Sequence, residues 1–215
     1  MRFSSIGKKI WMSLLGLFLM VFLIIHLGIN LTLLRDDSGE WFRAASHFMG
    51  TNYIIKMMEI VLFAGFLLHI IFSFILQIRN WGARPVRYEV QPQTETPFMS
   101  NYMVYTGIIV LIFLGIHLMD FYFTKYGLVE GPKLPDGEAD FYTIAAGLFT
   151  QPLYSSMYII LMIVLGFHLY HAFESAFQTL GLRHHKYYST VRVLGILYSI
   201  IIPLGFIIIP VYYLI

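Results

Sequence analysis

The chain has no cysteine and little charge: 12% of its 215 residues are Asp, Glu, Lys or Arg. The first absence excludes disulfides, thiolate iron–sulfur ligation and thiol catalysis together. The second excludes an ordinary soluble domain, which carries about twice that charged fraction. Nothing in the loops resembles a Gly-rich phosphate cradle or a hydrolase motif. A net charge of +2 is too small to point to nucleic acid. No loop is long enough to enclose a core of its own, so the chain reads as one membrane domain, residues 1–215.

What the chain has is apolar length. Hydrophobic residues make up 58% of it. Five runs stand out: Ile10–Leu34, Tyr53–Ile78, Tyr102–Thr124, Leu153–Leu180 and Val191–Ile215. Each reaches the roughly 20 residues that cross about 30 Å of hydrocarbon as a helix. Their continuity argues against barrel strands, which alternate apolar and polar residues. The first run is too long for a signal peptide and reads as a retained span. The expected fold is an all-α integral membrane protein of five transmembrane helices, the last bent at Pro203 and Pro210. Phe141–Phe149 reads as a short interfacial helix.

Basic residues set the expected orientation. With a cytoplasmic N-terminus, Arg2, Lys8, Lys9, Arg79, Arg84, Arg87, Arg183, Lys186 and Arg192 lie inside. Arg35, Arg43, Lys56, Lys125 and Lys133 lie outside. This balance favours N-in and a C-terminus outside.

Four of the spans carry a central histidine: His26, His69, His117 and His168. An ionisable residue in mid-bilayer is costly and needs a partner. One such histidine alone reads best as hydrogen-bonded to a neighbouring helix; one in each of four spans reads as a set. At 1.5 Å per residue, His26 and His117 lie about 24 and 22 Å from the inner surface, His69 and His168 roughly 13 and 18 Å. Depth therefore pairs His26 with His117 and His69 with His168. A weak repeat agrees: His26 and His117 each follow a glycine, Gly16 or Gly107, by ten residues. His69 and His168 each precede a phenylalanine, Phe74 or Phe173, by five. Two imidazoles on facing helices suit a b-type haem, so the expectation is a four-helix bundle holding two haems. Zinc fits poorly, because a closed site needs four ligands at one depth. Gly16, Gly65, Gly107 and Gly166 could leave room for macrocycles, though taken alone such glycines read better as ordinary helix packing.

Secondary candidates surround this set. His171 is the rival ligand to His168. His184 and His185 read as solvated. Ser13 and Arg183 are candidates for the propionates of the inner haem. Glu59 either pairs with Lys56, one turn earlier, or joins His47 in a proton-linked quinone site.

The segments His26-Leu27-Gly28-Ile29-Asn30, Ala44-Ala45-Ser46-His47-Phe48-Met49, Glu59-Ile60, Phe167-His168 and Ser175-Ala176-Phe177 resemble the cytochrome b anchor of succinate dehydrogenases and fumarate reductases, in its five-helix, dihaem form. The resemblance covers nearly the whole chain. It implies a proximal haem on His69 and His168, a distal haem on His26 and His117, and menaquinone as substrate. It also implies flavoprotein and iron–sulfur partner subunits on the cytoplasmic side, a bacterial inner membrane, and compatibility with a homodimer of the whole complex. The chain would be the quinone-reactive electron-transfer subunit, with no dicarboxylate site of its own. Some fumarate reductases place a glutamate two residues before the fourth ligand. Gly166 stands there, which tilts the expectation towards succinate oxidation. The other readings are an anchor for a different dehydrogenase or hydrogenase, and a haem-free transporter or proton channel.

Overall fold

The computed structural model describes residues 5–82, 97–182 and 187–215, with side chains from 6–82, 102–182 and 187–215. Seven α-helices follow in order: α1 Ser5–Asn30, α2 Glu40–Thr51, α3 Tyr53–Gly82, α4 Pro97–His117, α5 Phe141–Phe149, α6 Pro152–Thr179 and α7 Tyr188–Leu214. A 3₁₀ turn, Leu31–Leu34, extends α1, and a π-helical segment, Leu118–Phe123, extends α4. Among the described residues five helices are long and apolar enough to cross a membrane. They start and stop within four residues of the expected runs. Most of their apolar surface faces outward: only 6% of the most apolar window of α3 is buried inside the protein. That surface requires lipid around it. The chain is a multi-pass, all-α membrane protein.

The long helices form a bundle in which α1 packs on α3 and α6, α4 on α6, and α7 on α6 and α1. The buried centre is shared by Met20, Leu27, Met162, Leu165, Leu169 and Ile202. Helix α7 continues through Pro203 and Pro210, both buried. A proline at 203 cannot donate to the Ser199 carbonyl one turn earlier. That carbonyl lies against Gly166 of α6, where a Cβ would sit 3.0 Å from it and 3.3 Å from the Pro203 ring. Gly205 of α7 likewise admits Leu27 of α1. Small residues let backbones approach where the hydrophobic effect supplies no drive between helices.

The two short helices cap one end of the bundle. Helix α5 lies where its apolar sequence placed it, N-capped by Asp140, whose carboxylate accepts from the Thr143 amide. Helix α2 has no counterpart among the five apolar runs. Gly39 opens it at φ 83°, and a side chain there would collide with the Tyr142 ring of α5. Arg43 of α2 stacks over that ring at 4.7 Å and donates Nε and Nη2 to Asp140 at 3.0 and 2.9 Å. Buried Leu33, Phe42, Ala145, Phe149, Tyr158 and Ile209 form a second core beneath this cap.

Partial burial tends to raise the Asp140 carboxyl, but hydrogen bonds from Arg43 and Thr143 outweigh it and hold the group below its ordinary value of 3.8. A depressed folded value means the contribution is present above pH 3.8 and lost as pH falls through the folded value. Asp140→Asn keeps a capping side chain and removes the charge. It is expected to lower stability in detergent by about 1–2 kcal/mol at pH 7. In thermal unfolding, the gap to wild type should narrow as the pH drops below 3.8.

Candidate functional site

The four central histidines come from four different helices: His26 from α1, His69 from α3, His117 at the end of α4 and His168 from α6. His26 and His117 meet directly, with ring centroids 5.7 Å apart and planes at 86°. Metal–imidazole bonds of about 2 Å, with each ring centre about 1.2 Å beyond its nitrogen, put trans imidazoles roughly 6.4 Å apart on one metal. The observed spacing is shorter than that separation, so the rings would have to part slightly to hold a metal between them. His26 is stacked on Phe22 at 5.2 Å and flanked by Phe206 at 5.7 Å. His117 lies between Phe113 and Phe121, and its Nδ1 is 3.3 Å from the Tyr158 hydroxyl.

The second pair is held differently. His168 Nδ1 lies 3.3 Å from Thr106 Oγ1, and that hydroxyl donates to the Met103 carbonyl at 2.9 Å. The threonine oxygen is thus left to accept from Nδ1–H, which leaves Nε2 as the lone-pair nitrogen. His69 Nδ1 is buried without a hydrogen-bond partner, and so is His171 Nδ1. An orphaned buried nitrogen costs about 1–3 kcal/mol, which makes both histidines available to a ligand. His168 is close enough to both His69 and His171 to interact with them electrostatically. Among the described residues no three histidines or carboxylates converge as a metal-ion site.

The glycines divide accordingly. A Cβ at Gly16 of α1 would point at His69, 3.9 Å away, and one at Gly107 of α4 at His168, 3.5 Å away. The repeat seen in the sequence therefore has a spatial counterpart: in each half, a glycine faces the histidine of the helix packed beside it. Gly65 instead admits Phe18, with 3.1 Å to a Cβ, and Gly166 admits α7. These two are packing glycines and leave no room beside a histidine.

Glu59 is not paired with Lys56. Its carboxylate accepts from Lys125 Nζ at 2.9 Å and from the Tyr126 hydroxyl at 3.2 Å, while Lys56 sits over the Tyr53 ring at 6.0 Å. The partner one turn away on the same helix loses to a lysine just past the π-helical end of α4. Lys56, Glu59, Ile60, Phe63, Tyr122 and Tyr126 line a cleft of about 350 Å³. It opens one turn along α3 from Phe66, which touches Phe22, which stacks on His26. His47 has a different partner, Glu138, at 3.1 Å. The Ser13 hydroxyl donates to the Lys9 carbonyl at 3.0 Å, so its hydrogen serves its own helix rather than an external carboxylate. Arg183, His184, His185 and residues 83–96 lie outside the described residues.

The sequence reading passed over Asp120, three residues beyond His117. Its carboxylate accepts from the Tyr154 hydroxyl, and the Tyr154 ring stacks at 4.8 Å on Tyr158, the neighbour of His117. An acid inside an apolar run is a legible signal. Its tyrosine partners on α6 are not.

Comparison with protein-family models, with curated proteins and with solved structures finds no match for this chain.

The crowding at Gly166 gives a test. Gly166→Val must displace the Ser199 carbonyl or the Pro203 ring, 3.0 and 3.3 Å from its Cβ. It is expected to cost about 1–3 kcal/mol of stability. Gly28→Val, with open space at its Cβ, should leave the unfolding midpoint in detergent nearly unchanged.

Proposed function

We propose that this chain is the dihaem cytochrome b anchor of a succinate:menaquinone oxidoreductase or quinol:fumarate reductase. It carries electrons between an iron–sulfur subunit and membrane quinone. The observation that supports it most is the pairing of four mid-span histidines from four helices, with the His26 and His117 rings 5.7 Å apart. Resemblance to the family's segments supplies the enzyme class. The orphaned Nδ1 of His69 and the two histidine-facing glycines favour an occupied inner site over a dry helix contact.

In this reading His26 and His117 would hold the outer haem, and His69 and His168 the inner one. A b-type haem held at each pair would supply a one-electron carrier. The chain's own residues do the rest. Thr106 engages Nδ1 of His168 and leaves Nε2 as the lone-pair nitrogen. Phe22, Phe113, Phe121 and Phe206 keep water from the outer pair and fix its ring planes.

The Glu59 cleft is the quinone site. Its aromatic walls, Phe63, Tyr122 and Tyr126, match a flat ring, and Glu59 with Lys125 provides a carboxylate and an ammonium for the protons that accompany quinone chemistry. The flavoprotein and iron–sulfur partners belong at the opposite, N-terminal end of α1, which is cytoplasmic in this reading. The membrane is the bacterial inner membrane.

Single replacements test the ligand set. His69→Ala and His117→Ala are each expected to remove about half of the haem from the purified chain, one spectral component apiece, because trans ligation by two side chains fails when one is lost. Full haem content in both variants would overturn the assignment.

A further inference from the structure

His171 has no task in the reading above. Its Nδ1 is buried and has no hydrogen-bond partner. It lies on α6 three residues beyond His168, about 4.5 Å further along the helix axis and about 60° around it. Residues at this spacing are neighbours on one helix face. In the proposed orientation α6 runs towards the cytoplasm, so His171 stands one turn closer to the cytoplasm than His168. A buried imidazole nitrogen without a partner costs about 1–3 kcal/mol, whereas an apolar side chain at the same position carries no such penalty.

The proposed inner site brings an acceptor to this level. A b-type haem is apolar apart from its iron and its two propionate carboxylates, and a carboxylate in hydrocarbon requires donors or cations. Three hydroxyls around the inner pair do not meet that need. Ser73, one turn beyond His69 on α3, donates to the His69 carbonyl at 2.7 Å. Ser13 of α1, one turn from the glycine that faces His69, donates to the Lys9 carbonyl at 3.0 Å. Thr106 of α4, beside His168, donates to the Met103 carbonyl at 2.9 Å. Each commits its single hydrogen to its own helix. The Nδ1 of His171 has no such commitment, and either nitrogen of a neutral imidazole can carry the proton.

We infer that His171 donates a hydrogen bond from Nδ1–H to a propionate carboxylate of the inner haem and is not a ligand of its iron. The inference rests on His69 and His168 holding that haem. A hydrogen bond to a carboxylate is charge-assisted, and low dielectric strengthens it. A bare anion beside a haem favours the ferric state. A donor that offsets part of that charge favours the ferrous state and raises the reduction potential of the haem it serves.

The test is a redox titration of the full chain in detergent, followed optically, for wild type, His171→Phe and His171→Asn. The phenylalanine keeps a ring and removes the donor. The asparagine keeps an N–H on the atom bonded to Cγ, as Nδ1 is, so it preserves the donor while reducing the bulk. Both variants should retain two haems. In His171→Phe one haem should favour its ferric form by up to tenfold, a fall of up to about 59 mV for a one-electron couple. In His171→Asn both potentials should stay near wild type. Two haems with unchanged potentials in His171→Phe would overturn the inference and leave the haem assignment intact. Loss of one haem from both variants would make His171 a ligand and overturn it as well. An equal fall in the two variants, or a fall shared by both haems, would show a packing effect and also count against it. Wild-type chain without haem would overturn the assignment on which the inference rests.

Discussion

An imidazole in the hydrocarbon layer must have its nitrogens satisfied, because no water is there to do it. Much of the structure follows from that constraint. Four histidines at mid-span oblige the surrounding helices to supply donors, acceptors or ligands. The protein answers unevenly: Tyr158 serves His117, Thr106 serves His168, and the Nδ1 of His69 is left over. A residue that leaves a buried nitrogen unpaired is a destabilising choice for a helix contact and an apt one for a ligand site. The asymmetry is what makes ligation the better account of the set.

The packing of the bundle keeps those sites apart from the residues that hold it together. Helices α6 and α7 close on each other through Gly166 and Gly195, where added Cβ atoms would meet Ser199, Pro203 and Phe173. Gly16 and Gly107 face histidines instead. Stability is thus concentrated along α6, α7 and α1, while the face of α3 that bears His69 and Glu59 is less tightly committed. At the α2/α5 end, the bidentate Arg43–Asp140 pair ties two short helices over the second core. That cap sits next to the Glu59 cleft and the His26–His117 pair, so in the proposed reading order there bears on where quinone would approach.

Much of this was legible in the sequence, for physical reasons that also explain what was not. The five spans are visible because a helix in lipid needs an unbroken apolar run, and their ends extend a few residues further because backbone hydrogen bonding does not stop at Lys9 or Arg79. Helix α5 is visible for the same reason, with Asp140 as its cap. Helix α2 is not, since Glu40, Arg43, Ser46 and His47 interrupt any apolar run and leave only an amphipathic pattern. The contact between the His26 and His117 rings agrees with their similar depth, because rise per residue converts position into height. Other contacts across the bundle could not be read in this way. Glu59 chooses Lys125 over Lys56, and Asp120 finds Tyr154, through tertiary geometry that no local spacing encodes.

The central claim is that the two histidine pairs are bis-histidine haem sites in a quinone-linked enzyme. An optical redox titration of the wild-type protein in its native membrane tests it most directly. The account predicts b-type absorption that titrates in two one-electron steps and is reduced when succinate is added to the intact complex. A membrane preparation containing the chain but lacking haem absorption, or haem that succinate and menaquinol both leave untouched, would contradict it.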